Sequence, residues 1–336
     1  MNSAALTMHP IDQFAASMAA HGMQAPESIV PDGRIHRFST NGKRGDTAGG
    51  YVLHLDPIAA GAFWDWRTGL YVTWCVRDTR DMSPSERKVH EDRMAAHRAQ
   101  SRRDKTAAMR KNRARIDALW REAVPITPGD PVHTYLRGRG LILATIPEVL
   151  RYHPALDYWD FDDKGKAVQL GTHPAMLAAV EVEAFPDGPH RPAVLTKVAL
   201  HRTYLTLDGR KADVPAPKKL TGTTGDMRGA AIRLAAPAFI DGAYRLGVAE
   251  GIETALAAAE GSRVPTWATV SASGMKNFQW PRTPHELYVF ADNDANETGQ
   301  RAARELERKA NACGVCVHTL IPPLPGSDWA DVWQRR

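Results

Sequence analysis

The sequence is poor in cysteine, in long apolar runs and in the signatures of several protein classes. Its three cysteines, Cys75, Cys313 and Cys316, cannot build a disulfide framework, which excludes a disulfide-stapled secreted domain and fits a reducing, cytoplasmic setting. Cys313 and Cys316 form a lone C-x-x-C at an expected helix–strand junction, read as two small buried residues around the helix-ending Gly314. There is no second such pair at zinc spacing, so no zinc is expected. No apolar stretch approaches the roughly 20 residues that a membrane-spanning helix needs. The first residues lack the basic-then-apolar order of a secretory signal. No G-x-x-x-x-G-K-[ST] occurs, so no P-loop module is expected in the chain.

What is present is globular in character. The 336 residues are 43% hydrophobic and 24% charged, enough for two domains with real cores and a small third. The net charge of +5 is unevenly spread. Residues 77–115 hold thirteen lysines and arginines against six acids, a local excess of +7. Arg102, Arg103 and Lys105 sit at its centre as candidate contacts to a polyanion, although a solvated helix face is the plainer account of such a run.

Four segments follow from the patterning: a small β-rich unit at 1–80, a basic helical connector at 81–123, an α+β part at 124–240, and a strand–helix alternation at 241–336. In the first, IHRF, GGYVLHLD and GLYVTWCV read as strands, with Trp64–Gly69 as a separator. Phe63, Trp64, Trp66 and Trp74 are read as the core of this unit, with base stacking as the alternative. The connector has no Gly or Pro after Pro84, with Ser83 and Glu86 spaced as a capping box. It is polar until Ile116, Leu119 and Trp120, where it is expected to dock. In the last segment, RLGVA, VPTWATVS, ELYVFA and VCVHTLI alternate with helical stretches, the pattern of a parallel sheet with crossovers.

Acids fall at the ends of those strands: Glu250 before Gly251, then Asp292 and Asp294 two apart, then Asp328 and Asp331. The crevice of a parallel α/β sheet lies beyond the carboxyl ends of its strands, so these three sites should converge. Carboxylates held together repel one another unless a hard cation neutralises them, and Mg²⁺ accepts several carboxylates while reaching phosphates. Glu253, one turn into the next helix, is read as a salt-bridging or capping residue before a metal ligand.

Together, Val248–Ala255 (VAEGIETA), Phe290–Asp294 (FADND) and Gly326–Asp331 (GSDWAD) resemble a Toprim domain, in the variant of primase-like proteins of phages, plasmids and integrative elements. Tyr135–Leu141, Arg151–Pro154, Ile35–Phe38 and Asp65–Gly69 are similar to segments of the same proteins. The resemblance implies an α/β fold. A C-terminal Toprim domain with a Rossmann-like parallel sheet is preceded by an α+β primase-type subdomain, as in bacterial primase catalytic cores, and by the small β unit on its long basic helix.

The resemblance also assigns roles. Glu250 is the catalytic acid/base or metal-side group, Asp292 and Asp294 the metal pair, and Asp328 a further metal-side acid, with Mg²⁺ or Mn²⁺ as cofactor. Arg202, Lys218, Lys219 and Arg228 stand as counterparts of a nucleotide- and template-binding segment, and Lys211 lies in the same region. The implied activity is synthesis of short RNA primers on single-stranded DNA from ribonucleoside triphosphates, for mobile-element replication, with a separate helicase and no membrane. A Toprim metal-dependent nuclease and a catalytically weak single-stranded-DNA-binding accessory protein are the alternatives. A topoisomerase is disfavoured, because the chain leaves little room for a strand-passing domain.

Overall fold

The computed structural model describes residues 8–42, 47–56, 58–76, 83–162, 166–184, 194–281 and 286–336. Arg77 and Arg80 of the basic stretch lie outside them, as do the side chains of Glu86 and Arg93. The chain forms two compact units, Met1–Asp104 and Lys105–Arg336, so the division falls inside the basic helix rather than at either of its ends.

In the first unit a helix, α1 (Pro10–Ala20), packs on a four-stranded antiparallel sheet in the order β1 (His36–Phe38), β2 (Gly49–His54), β3 (Ala60–Asp65), β4 (Leu70–Cys75). Phe14 and Met18 of α1 bury against Tyr51, Leu53 and Phe63, with Leu70, Val72 and Trp74 partly buried beside them. The composition hides β3, because Ala60-Gly61-Ala62 has low strand propensity. Packing explains that choice: a Cβ at Gly61 would lie 2.3 Å from the Val52 carbonyl oxygen and 3.1 Å from Phe14. The separator expected at Trp64 begins two residues later, at Trp66.

The helix α2 (Pro84–Glu122) runs the expected length. Arg102, Arg103 and Lys105 are exposed on it. Its C-terminal part docks as expected, with Ile116 fully buried and Leu119 and Trp120 partly so. A polar anchor precedes that contact. Asn112 Nδ2 donates to the Thr223 carbonyl (2.9 Å), and Arg113 donates to the Lys197 carbonyl (2.7 Å) and Thr224 Oγ1 (3.0 Å).

Beyond α3 (Pro131–Gly138), strands β5 (Leu150–Phe161), β6 (Ala167–Ala184), β7 (Val194–Tyr204) and β8 (Lys218–Leu220) form an antiparallel sheet in chain order. Successive side chains of a strand point to opposite faces. On β6, Ala175, Leu177 and Ala179 face the core shared with Ile116 of α2. Met176, Ala178 and Val180 face the core shared with α3 and with Ile252 and Leu256 further on. Burial on both faces is why PAMLAAV is an unbroken apolar run.

The C-terminal sheet has the order β11 (Thr266–Ala268), β10 (Ala243–Ala249), β12 (Glu286–Phe290), β13 (Cys316–Leu320), all parallel. A short β9 (Ala238–Ile240) adds antiparallel to the start of β10, an element the parallel pattern does not include. The crossovers are α4 (Ile252–Ser262), α5 (Ala272–Lys276) and α6 (Thr298–Ala312), and α7 (Trp329–Gln334) closes the chain. Ala231 bridges to Glu181 of β6, and Ile232 bridges to Ala268 of β11, tying this sheet to the preceding one within the second unit. Gly314, at φ +78°, ends α6 as expected, but Cys313 and Cys316 on either side are exposed, not buried. The turn leaves both thiols outside the sheet–helix core. Among the described residues no helix is long and apolar enough to cross a membrane.

Candidate active site

The strand order places a switch point in the sheet. The chain leaves β10 through α4 to β11 on one side, then passes to β12 on the other side of β10. The carboxyl ends of β10 and β12 are therefore neighbours with helices departing on opposite sides, the position where α/β sheets form their crevices. Glu250 follows β10 and Asp292 lies just beyond β12. Gly299 at the start of α6 fits close over the Asp292 backbone, where a Cβ would sit 3.0 Å from its carbonyl oxygen. Asp328 arrives as the N-cap of α7 in a reciprocal capping box with Asp331.

A cavity of about 210 Å³ opens here. Its lining includes an acidic set, Glu250, Asp292 and Asp328, and a basic set, Arg139, His201, Lys211 and Lys218. Burial pushes the Asp292 carboxyl up to about 7, reinforced by the charges of Glu250, Asp328 and Asp294. Burial, with Asp294 beside it, also raises Glu250, opposed by a backbone hydrogen bond from Ala272 and by Lys218. Asp294 is thus close enough to act on both, although it does not line the cavity. Val270, on the rim, holds a left-handed backbone at φ +71° that a β-branched residue rarely adopts, a strain of the kind that collects at functional sites.

The basic set is organised around Glu253. This carboxylate, 4% exposed, accepts from Lys218 Nζ at 2.8 Å and from the Tyr135 hydroxyl. Burial would raise it, but the ammonium and the two hydrogen bonds outweigh burial and hold it below the ordinary range. Tyr135 is pushed up by burial and by that neighbouring carboxylate. Burial and Lys218 lower His201 to about 4, so at neutral pH the ring is uncharged, and its Nδ1 is buried without a partner. Arg139 Nε is likewise buried without a partner, while its Nη2 lies 3.6 Å from Asp331.

The structure therefore sorts the residues expected from the sequence. Glu250, Asp292, Asp328 and Lys218 meet in one cavity, with Asp294 at its edge. Glu253 is a salt-bridging residue, and Asp331 caps α7. Lys219 does not join the site. It neighbours Lys218 on a strand, so it faces the other way, donating to the Trp159 carbonyl (2.6 Å), pairing with Asp160 (3.4 Å) and lying over Tyr158. Arg202, opposite Lys219 in register, shares that face and donates to Tyr204 and to the Leu220 carbonyl. Arg228 is exposed and pairs with Asp226 away from the cavity. Arg139, His201 and the Tyr135–Glu253 link had no signal as site residues beyond the Tyr135–Leu141 resemblance, because they come from three separate elements.

By donor type the acidic set fits a hard divalent cation, and Asp292 Oδ1 is buried with no hydrogen-bond partner. Among the described residues, no three His, Cys, Asp or Glu converge closely enough to hold an ion as they stand.

Residues 110–234 match a domain of unknown function (DUF7146), and residues 245–336 match the Toprim domain. The chain is 32% identical over 136 residues to DNA primase TraC of Escherichia coli; this covers 39% of the chain but only 12% of that protein's length. Among solved structures, a DNA primase domain from Pseudomonas aeruginosa aligns at 16% identity and TM-score 0.37, over 60% of this chain and 66% of that one. The RNA polymerase domain of Mycobacterium tuberculosis primase DnaG aligns at 13% identity and TM-score 0.37, over 67% and 78%. With strand-end acids at the switch point of a parallel sheet and a direct match over the same residues, the region 245–336 belongs to the Toprim family.

Proposed function

We propose that the chain is a primase-type nucleotidyltransferase that joins ribonucleotides on a single-stranded DNA template, with the cavity between β10, β12 and β8 as its active site. The observation that carries this reading is that carboxylates and cationic side chains line one small cavity together. A triphosphate with a divalent cation needs both: carboxylates for the ion and cations for the phosphate oxygens that the ion leaves uncovered. Glu250, Asp292, Asp294 and Asp328 would hold Mg²⁺ or Mn²⁺, which when bound supplies charge neutralisation at the reacting phosphate. Lys211, Lys218 and Arg139 take the phosphates. Glu253 keeps the Lys218 ammonium aimed at the cavity, and Tyr135 locks Glu253. The neutral His201 offers a hydrogen bond without adding charge. The exposed basic face around Arg102, Arg103 and Lys105 follows the template backbone, and a separate helicase opens the duplex in a cytoplasmic setting.

The test is synthesis without a supplied primer. Single-stranded DNA, labelled ribonucleotides and Mg²⁺ should yield short RNA, and Asp292→Asn with Asp294→Asn should yield none. DNA degradation without RNA would instead establish the nuclease. Binding with neither product, even with replication proteins of the host element added, would establish an accessory protein.

A further inference from the structure

The outer face of the first unit's sheet, opposite α1, carries a row that the core does not use. The register aligns Arg37 of β1, Gly50 of β2, Trp64 of β3 and Tyr71 of β4 across all four strands. Trp64 is its floor: the indole lies over Gly50, where a Cβ would stand 2.5 Å from the ring, so only glycine lets it lie flat. Tyr71 stacks on Trp64 at 6.2 Å with 21° between the planes. Trp66, at the strand end, stands 6.3 Å from Trp64. The Arg37 guanidinium lies 5.5 Å from the Trp64 ring and 5.9 Å from the Trp66 ring. Trp64 is 6% exposed and its Nε1 is buried without a partner, whereas Trp66 and Tyr71 are 65% and 63% exposed.

The four aromatics that the sequence assigns to one core, and Tyr71 with them, are thus divided by the pleat. Phe63 and Trp74 face α1, Trp64 floors the other face, and Trp66 and Tyr71 are open to solvent. Leaving two large rings in water forfeits the hydrophobic gain of burying them, so their exposure calls for an occupant. Arg37 decides its chemistry. It is exposed, and among the described residues no acid pairs with it. The rings have flat faces, a cation lies beside Trp64 and Trp66 at one end of the row, and the row has no aliphatic side chain. Apolar planes beside an anion site match a chain of stacked bases on a phosphate backbone.

We propose that the Arg37–Trp64–Trp66–Tyr71 row is a stacking platform for single-stranded DNA, separate from the catalytic cavity. Bases stack on Trp66 and Tyr71, Arg37 takes a phosphate next to the base on Trp66, and the packed Trp64 keeps the rings in place. The inference does not depend on primase activity, because it is read by binding alone.

The experiment uses the full chain and a fluorescein-labelled oligothymidylate, with anisotropy measured across a salt series. Trp66→Ala with Tyr71→Ala should weaken binding about 30-fold or more while leaving the salt slope unchanged, because stacking releases no counterions. Trp66→Phe should recover most of the Trp66 contribution. Arg37→Ala should lower the slope by about 0.7. Near-ultraviolet circular dichroism and the melting temperature show whether each variant is folded, and α1 covers the opposite face, so these exposed positions are expected to tolerate change. A folded double variant with wild-type affinity would overturn the proposal. So would sedimentation showing that the double variant abolishes self-association while DNA binding persists.

Discussion

Replacing Asp292 by asparagine should stabilise the metal-free protein while removing its chemistry. The Asp292 carboxyl is buried among Glu250, Asp328 and Asp294, and its pKa stands at about 7 against an ordinary 3.8. A carboxyl raised in the folded state favours folding only in its neutral form. Below about pH 4 it costs nothing, between pH 4 and 7 the cost grows, and above pH 7 the cost is complete. The full gap corresponds to about 4 kcal/mol. The side chain is partly open to water, and screening brings the figure to about 1–2 kcal/mol. Asparagine cannot ionise, so in chelator at pH 8 Asp292→Asn should melt about 2–8 °C higher than the wild type. At pH 5 the gain should shrink to roughly a third of its value at pH 8, because the folded carboxyl is then mostly neutral. Mg²⁺ should raise the wild-type melting temperature at pH 8 and leave the variant nearly unmoved. Thermal melts from pH 5 to 8.5, with chelator or Mg²⁺, supply all these comparisons. A variant that melts at or below the wild type in chelator at pH 8, and responds equally to Mg²⁺, would refute the reasoning.

Three further outcomes follow from the geometry. Lys218→Ala leaves the Glu253 carboxylate buried without its ammonium, and should cost about 2–3 kcal/mol in denaturant titration; adding Glu253→Gln should recover about half of that while nucleotide use stays lost. Lys219→Ala, which removes only the contacts to Trp159, Asp160 and Tyr158, should cost about 1 kcal/mol and leave the KM for nucleotide unchanged. Arg102→Ala, Arg103→Ala and Lys105→Ala together should flatten the salt dependence of single-stranded DNA binding by about 0.7 per lost phosphate contact, for every DNA sequence alike; an unchanged slope would assign that helix face to solvent or to a protein.

The parts of this molecule legible in its sequence are those whose signal is local. The helix Pro84–Glu122 is continuous because nothing inside it breaks a helix, and the β–α rhythm after Ala243 is periodic. The acids at strand ends follow from that rhythm, since a parallel sheet puts every strand's carboxyl end on one edge. Strand Ala60–Asp65 is illegible because its defining constraint is an approach to the Val52 carbonyl, a contact that selects glycine against strand propensity. The basic set is illegible for a different reason. Lys218 and Lys219 are chemically alike and adjacent, and only the register of their strand against Thr203 and Arg202 decides which one meets Glu253.

Glu253 belongs to the Toprim region, whereas Tyr135, Lys218, Lys211 and His201 belong to the preceding domain. The acids therefore come from the Toprim region, and the cations from the domain before it. A single buried carboxylate, bonded to Lys218 and Tyr135, joins them. Bridging hydrogen bonds through Ala231 and Ile232 also tie the two sheets together. Either domain alone would hold an uncompensated half of the cavity: mutually repelling acids in one, and in the other Lys211, lowered first by burial and then by the charge of Lys218. Bringing the halves together relieves both repulsions only in part, and the remainder stays on Asp292, the group whose buried oxygen has no partner. The fold thus concentrates its unmet electrostatic demand at the position where a cation with its phosphates would satisfy it.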